Sequence, residues 1–72
     1  MTNLIEIANE VNKNWTSNYK AEIQNDVLVV SVEVYDKENE SSFVPCAYVN
    51  KKLNVTGHDE DAISQLEFYI NA

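Results

Sequence analysis

Tyr19-Lys20-Ala21-Glu22-Ile23-Gln24-Asn25-Asp26-Val27-Leu28-Val29-Val30-Ser31-Val32-Glu33-Val34 is the stretch on which the reading of this chain turns. Tyr19, Ala21 and Ile23 alternate with Lys20, Glu22 and Gln24, and Leu28, Val30, Val32 and Val34 alternate with Val29, Ser31 and Glu33. That is the period of strands with one buried face. A two-residue turn at Asn25-Asp26 sets Ile23 opposite Leu28, Ala21 opposite Val30 and Tyr19 opposite Val32, so that all of them share one face. A slip of one residue would scatter them. Pattern and turn therefore agree on an antiparallel hairpin in a single register.

Upstream, Asn3 with Glu6 fits a capping box, and Leu4, Ala8, Val11 and Trp15 recur at helical spacing with Ile5 and Ile7 on the flanks. This predicts a helix over residues 3–15 with Trp15 buried against the sheet. Downstream, Asp36-Lys37-Glu38-Asn39-Glu40-Ser41-Ser42 reads as a polar loop, and Phe43 to Val49 as a third strand in which Pro45 marks an edge or a bulge. A short turn at Asn50-Lys51 sets Tyr48 opposite Leu53 and Cys46 opposite Val55, which gathers Val44, Cys46, Tyr48, Leu53 and Val55 on the core face. The fourth strand rests on this turn alone. Thr56 as a cap, then Asp59-Glu60-Asp61 where the helix dipole favours negative charge, opens a helix over residues 59–71. Ala62, Ile63, Leu66, Tyr69 and Ile70 form its stripe, and Phe68 points elsewhere. The expected fold is one α+β domain spanning 1–72, an antiparallel meander of three or four strands with an N-terminal and a C-terminal helix (α-β-β-β-(β)-α) on one face.

A chain of 72 residues buries about 60% of the surface it exposes when open, enough for one thin core. Its apolar runs are far shorter than the roughly 20 residues of a membrane span. The N-terminal segment lacks the basic and apolar regions of a secretory leader, and Cys46 is the sole cysteine. A reducing cytoplasm is the expected setting. Twelve carboxylates stand against five lysines, for a formal charge of −7, and arginine is absent. Such a chain repels nucleic acid and anionic membranes and attracts basic partners. Lack of arginine beside an abundance of asparagine points to an AT-rich coding genome, that of a low-GC bacterium or its phage.

The chemistry-bearing residues do not assemble into a catalytic pattern. Cys46 and His58 are the ingredients of a thiolate–imidazole pair, but Cys46 falls mid-strand on the core face, where a thiol is inert packing. Asp36-Lys37-Glu38-Asn39-Glu40 alternates acids as a calcium loop does, yet Ser41 and Ala47 stand where that loop needs Gly and Glu. His58-Asp59-Glu60-Asp61 splays around a helix start. No phosphate loop, zinc spacing or Ser-His-Asp context is present. The sequence predicts no enzyme, no cofactor and no metal.

What remains is surface. In the expected register the outer sheet face carries Val27, Val29, Tyr35, Phe43, Ala47 and Val49 beside Lys20, Glu22, Glu33 and Lys52, more apolar than an idle solvent face. A protein contact is expected there, centred on Tyr35 and Phe43. In size, charge and element order the chain resembles the small acidic phage inhibitors, anti-CRISPR proteins and other DNA mimics, although it shares no motif with them. That resemblance implies carboxylates standing in for phosphates on a basic nucleic-acid channel, and the matching set is Asp36, Glu38 and Glu40 with Asp59, Glu60 and Asp61. The expected partner is a basic host protein or nucleoprotein complex, with no direct contact to nucleic acid or membrane. Two alternatives are an immunity or antitoxin-type protein that neutralises a cationic nuclease, and a homodimeric adaptor that turns the sheet face on itself.

Overall fold

A computed structural model describes residues 2–72. The order is α1 (Leu4–Asn14), β1 (Tyr19–Gln24), β2 (Val27–Tyr35), β3 (Ser41–Val49), β4 (Val55–Gly57) and α2 (Glu60–Asn71). The strands form one antiparallel sheet in the order β1-β2-β3-β4. The α+β meander of the sequence is the observed fold, fourth strand included.

Each helix begins where an Asx side chain replaces a missing backbone partner. Asn3 Oδ1 accepts from Glu6 N at 2.9 Å, and Asp59 Oδ1 accepts from Ala62 N at 3.1 Å. Asp59, not Thr56, is thus the cap of α2, while Thr56 pairs with Tyr48 in β4. Ile7 and Val11 from α1 and Ala62 and Leu66 from α2 pack on Ala21, Leu28, Val30, Cys46, Ala47 and Val49 of the sheet. Ile7 is therefore at the centre of the α1 face rather than its flank. Trp15 is half-buried instead of buried: it caps the end of α1, its ring edge-on to Tyr19 with centroids 5.3 Å apart.

The first hairpin has the register read from the sequence, with Asn25 and Asp26 both at positive φ in the turn. The back half of β3 does not. Val30 faces Ala47 while Ser31 faces Pro45, so Cys46 is the extra residue of a β-bulge. Beyond it the parity of β3 is reversed. Ala47 and Val49 are buried in the core, and Tyr48 joins Val29 on the outer face, opposite to the expected assignment. The turn after β3 differs for a related reason. Asn50–Asn54 forms a five-residue loop, so Val49 pairs with Val55 and Ala47 with Gly57. Gly57 sits at φ +137, and a Cβ there would lie 2.5 Å from the Cys46 carbonyl oxygen and 2.6 Å from Ala47 Cα.

Candidate functional site

The β2–β3 hairpin is longer than the sheet around it. β1 ends opposite Val32, so Glu33–Tyr35 and Ser41–Phe43 continue without a strand partner on either side. The molecule measures 43 × 23 × 20 Å, and its 5036 Å² of surface exceeds by about a tenth the roughly 4,500 Å² expected for a chain of this size. Apolar side chains stay open on both faces of this projecting arm. Val34 and Val44 are each 41% exposed on the helix side, with Tyr35 at 66% and Phe43 at 37% on the other.

Local contacts orient the two aromatic side chains. Lys20 Nζ lies 4.4 Å from the centroid of the Phe43 ring, a cation–π contact across the outer face. The Tyr35 hydroxyl donates to Glu33 Oε1 at 3.2 Å, and the Glu33 charge holds that phenol above its ordinary range. The arm ends in a built loop. Asp36 Oδ1 accepts from Glu38 N at 2.8 Å and Glu40 N at 3.0 Å, with Asn39 in the left-handed region at φ +63. The same geometry recurs between β3 and β4. There Asn50 Oδ1 accepts from Lys52 N and Asn54 N at 2.9 and 3.0 Å, and Leu53 takes the left-handed position at φ +64.

The six acids singled out in the sequence divide into two kinds. Asp36 and Asp59 spend their carboxylates on the fold. Asp59 caps α2 and also accepts from the Tyr19 hydroxyl at 3.1 Å, and burial together with that bond pushes Tyr19 up to about 12. Glu38, Glu40, Glu60 and Asp61 are exposed. Both groups lie toward one end of the long axis, because Tyr19 anchors the start of α2 at the level of Val32, from which the arm extends. Lys51 and Lys52 lie at the opposite end, where Lys51 pairs with Asp26 at 3.2 Å. The acidic end also holds cations: Lys37 lies within the tip loop, and Lys20 lies against Phe43 on the arm.

Cys46 is buried, and burial first, then the neighbouring Asp59 carboxylate, pushes its thiol up to about 11. His58 directs Nε2 to the Pro45 carbonyl oxygen at 3.2 Å instead. A thiol so protonated is a poor nucleophile. Among the described residues no group of three or more His, Cys, Asp or Glu side chains converges as a metal cage would require, and no helix is long and apolar enough to cross a membrane. A shallow groove of about 300 Å³ runs between the helices, walled by Glu10, Trp15, Gln65, Tyr69 and the 79%-exposed Phe68.

Sequence reasoning overlooked Asn12. Its amide donates to the Ala21 carbonyl at 3.0 Å and accepts from Ala21 N at 2.8 Å, making at the β1 edge the two bonds that another strand would make. The available signal was a polar residue at i+5 from Ile7 and i+1 from Val11, beside the core stripe rather than opposite it. No protein-family model, curated protein or solved structure matches the chain.

Proposed function

We propose that this protein is a small non-enzymatic inhibitor, encoded by a phage or mobile element, which acts in the host cytoplasm by binding and blocking a basic, nucleic-acid-binding protein such as a CRISPR effector. One observation carries this reading. The arm combines four part-exposed apolar side chains, Val34, Tyr35, Phe43 and Val44, with a tip in which Asp36, Glu38 and Glu40 outnumber Lys37, at the end of the molecule remote from Lys51 and Lys52. Aromatic anchors supply affinity in protein contacts, and rim charges supply attraction and orientation. A two-stranded arm with both faces open suits insertion into a cleft better than docking on a flat surface. The charge pattern suits a cleft that otherwise holds phosphates.

The experiment is capture from a lysate of the natural host with the wild-type chain, with Tyr35→Ala/Phe43→Ala and with Glu38→Gln/Glu40→Gln. The reading requires a basic nucleic-acid-binding protein that the wild type retains and the aromatic variant loses. Recovery of the same proteins by all three chains would remove the arm as the site. An immunity-type role predicts the same capture but a different target, a nuclease encoded beside this gene.

A further inference from the structure

A sheet has two edges, and here each of them is closed only in part. On β1, Asn12 occupies the outward N–H and C=O of Ala21. On the far side β4 covers Ala47–Val49, and the Cys46 carbonyl accepts from His58 N at 3.1 Å and Asp59 N at 3.2 Å. The arm is open on both sides: Tyr35 turns its backbone groups toward the β1 side, where β1 does not reach, and β3 is open on the other. Glu33 N bonds to Asn18 O and Asp36 N to Glu40 O, which fixes the alternation of the ladder. Val32 and Val34 bond inward to Val44 and Ser42, so Ser41 and Phe43 turn their N–H and C=O groups away from β2. Pro45 has no N–H, and its carbonyl faces His58, so the open row ends there.

Carboxylates stand at both ends of this row and outnumber the nearby cations, Lys37 in the loop and Lys20 over the Phe43 ring. Glu38 and Glu40 lie at the loop end, and Glu60 and Asp61 follow the Asp59 cap that is moored to Cys46 at the other. We infer that Ser41–Val44 is an acceptor edge for β-strand addition, and that its occupant is an extended segment of a basic partner carrying lysine or arginine. The segment's backbone pairs with Ser41 and Phe43, and its cations reach the flanking acids. A second copy of this chain is the poorer occupant, because each copy carries a formal −7 and would set acids against acids. The inference rests on the protein-binding reading above and specifies how the partner is held.

The test is amide hydrogen exchange by NMR during titration with a short alternating Lys–Val peptide. Two control peptides are used: the same sequence methylated on its pairing backbone nitrogens, and an alternating Glu–Val peptide. Two lost hydrogen bonds correspond to roughly tenfold in affinity. The Lys–Val peptide should slow exchange at Ser41 and Phe43, the methylated peptide should bind at least about tenfold more weakly, and the Glu–Val peptide should not bind. Ser41→Pro, which removes an outward N–H and leaves the β2 ladder intact, should weaken binding to a similar degree with an unchanged circular dichroism spectrum. Equal binding of the methylated peptide overturns the inference, as does binding of the Lys–Val peptide that leaves exchange at Ser41 and Phe43 unchanged. Protection of Ser41 and Phe43 that appears without peptide and rises with protein concentration assigns the edge to a second copy and also overturns it. Glu38→Gln/Glu40→Gln abolishing capture of the host protein while Ser41→Pro retains it would end strand addition and leave the acidic-arm reading standing.

Discussion

Asn12→Ala removes one side chain from a surface helix, and its cost follows from two distances. The Asn12 amide holds Ala21 N at 2.8 Å and Ala21 O at 3.0 Å, and both bonds are partly buried. Each such bond contributes about 0.5–1.5 kcal/mol net, so the pair is worth about 1–3 kcal/mol. Alanine returns about 0.5 kcal/mol of helix propensity. The expected loss is about 1–2 kcal/mol, which in a domain of this size lowers the melting temperature by about 5–15 °C. Urea unfolding followed by Trp15 fluorescence measures it, with Asn9→Ala as the propensity control, since Asn9 is exposed on the same helix. Asn12→Asp should be worse than Asn12→Ala, because a carboxylate oxygen then faces the Ala21 carbonyl. The opened β1 edge should also promote self-association at high concentration. If Asn12→Ala is as neutral as Asn9→Ala and stays monomeric, the clamp is not structural and the account of the edges is wrong.

Gly57→Ala should destabilise by at least about 2–3 kcal/mol, because φ +137 and the Cys46 carbonyl at 2.5 Å leave a Cβ no room; a near-wild-type urea midpoint would refute this. Asp26→Gly should stabilise by about 0.5–1 kcal/mol, since Asp26 sits at φ +65 and the ion pair it gives up with Lys51 is exposed at both partners. Stability should fall with alkali: the folded state keeps the Cys46 proton to about 11 and the Tyr19 proton to about 12, where the unfolded chain releases them near 9.0 and 10.0. With more protons bound in the folded state, the stabilisation is complete below pH 9 and is lost as pH rises through 11 to 12. Urea midpoints that stay flat across that range would contradict it, and Cys46→Ala should remove the earlier part of the fall.

The elements legible in the sequence are those whose signal is local. Asn25-Asp26 between two alternating runs defines its hairpin completely, because turn and pattern give the same register. Asn3 and the acidic start of α2 announce helix entries for the same reason. The β3 parity was hidden because Val44, Cys46, Ala47, Tyr48 and Val49 are all apolar enough for either face. Pro45 marks a bulge without saying which side of it changes parity. The five-residue loops were legible in retrospect through Asp36 and Asn50 at their first positions, but Leu53 at φ +64 is a residue that no turn preference would place there. Tyr35 and Phe43 were singled out as outer-face residues, and the structure sets them on the arm together with Val34 and Val44, which read from sequence as core. Whether a sheet-face residue is covered depends on where the helices end. Distant parts of the chain decide that.

The account stands most directly on displacement of a labelled oligonucleotide from the captured host protein, followed by fluorescence anisotropy as this chain is titrated in. Stoichiometric displacement by the wild type is predicted. Tyr35→Ala/Phe43→Ala should raise the required concentration by at least about thirtyfold, the equivalent of roughly 2 kcal/mol lost at buried aromatic anchors. Glu38→Gln/Glu40→Gln should slow displacement most at low salt, where steering is least screened. A host protein that keeps its oligonucleotide at saturating wild-type chain, or releases it equally to all three chains, would contradict the claim that the arm blocks a nucleic-acid site.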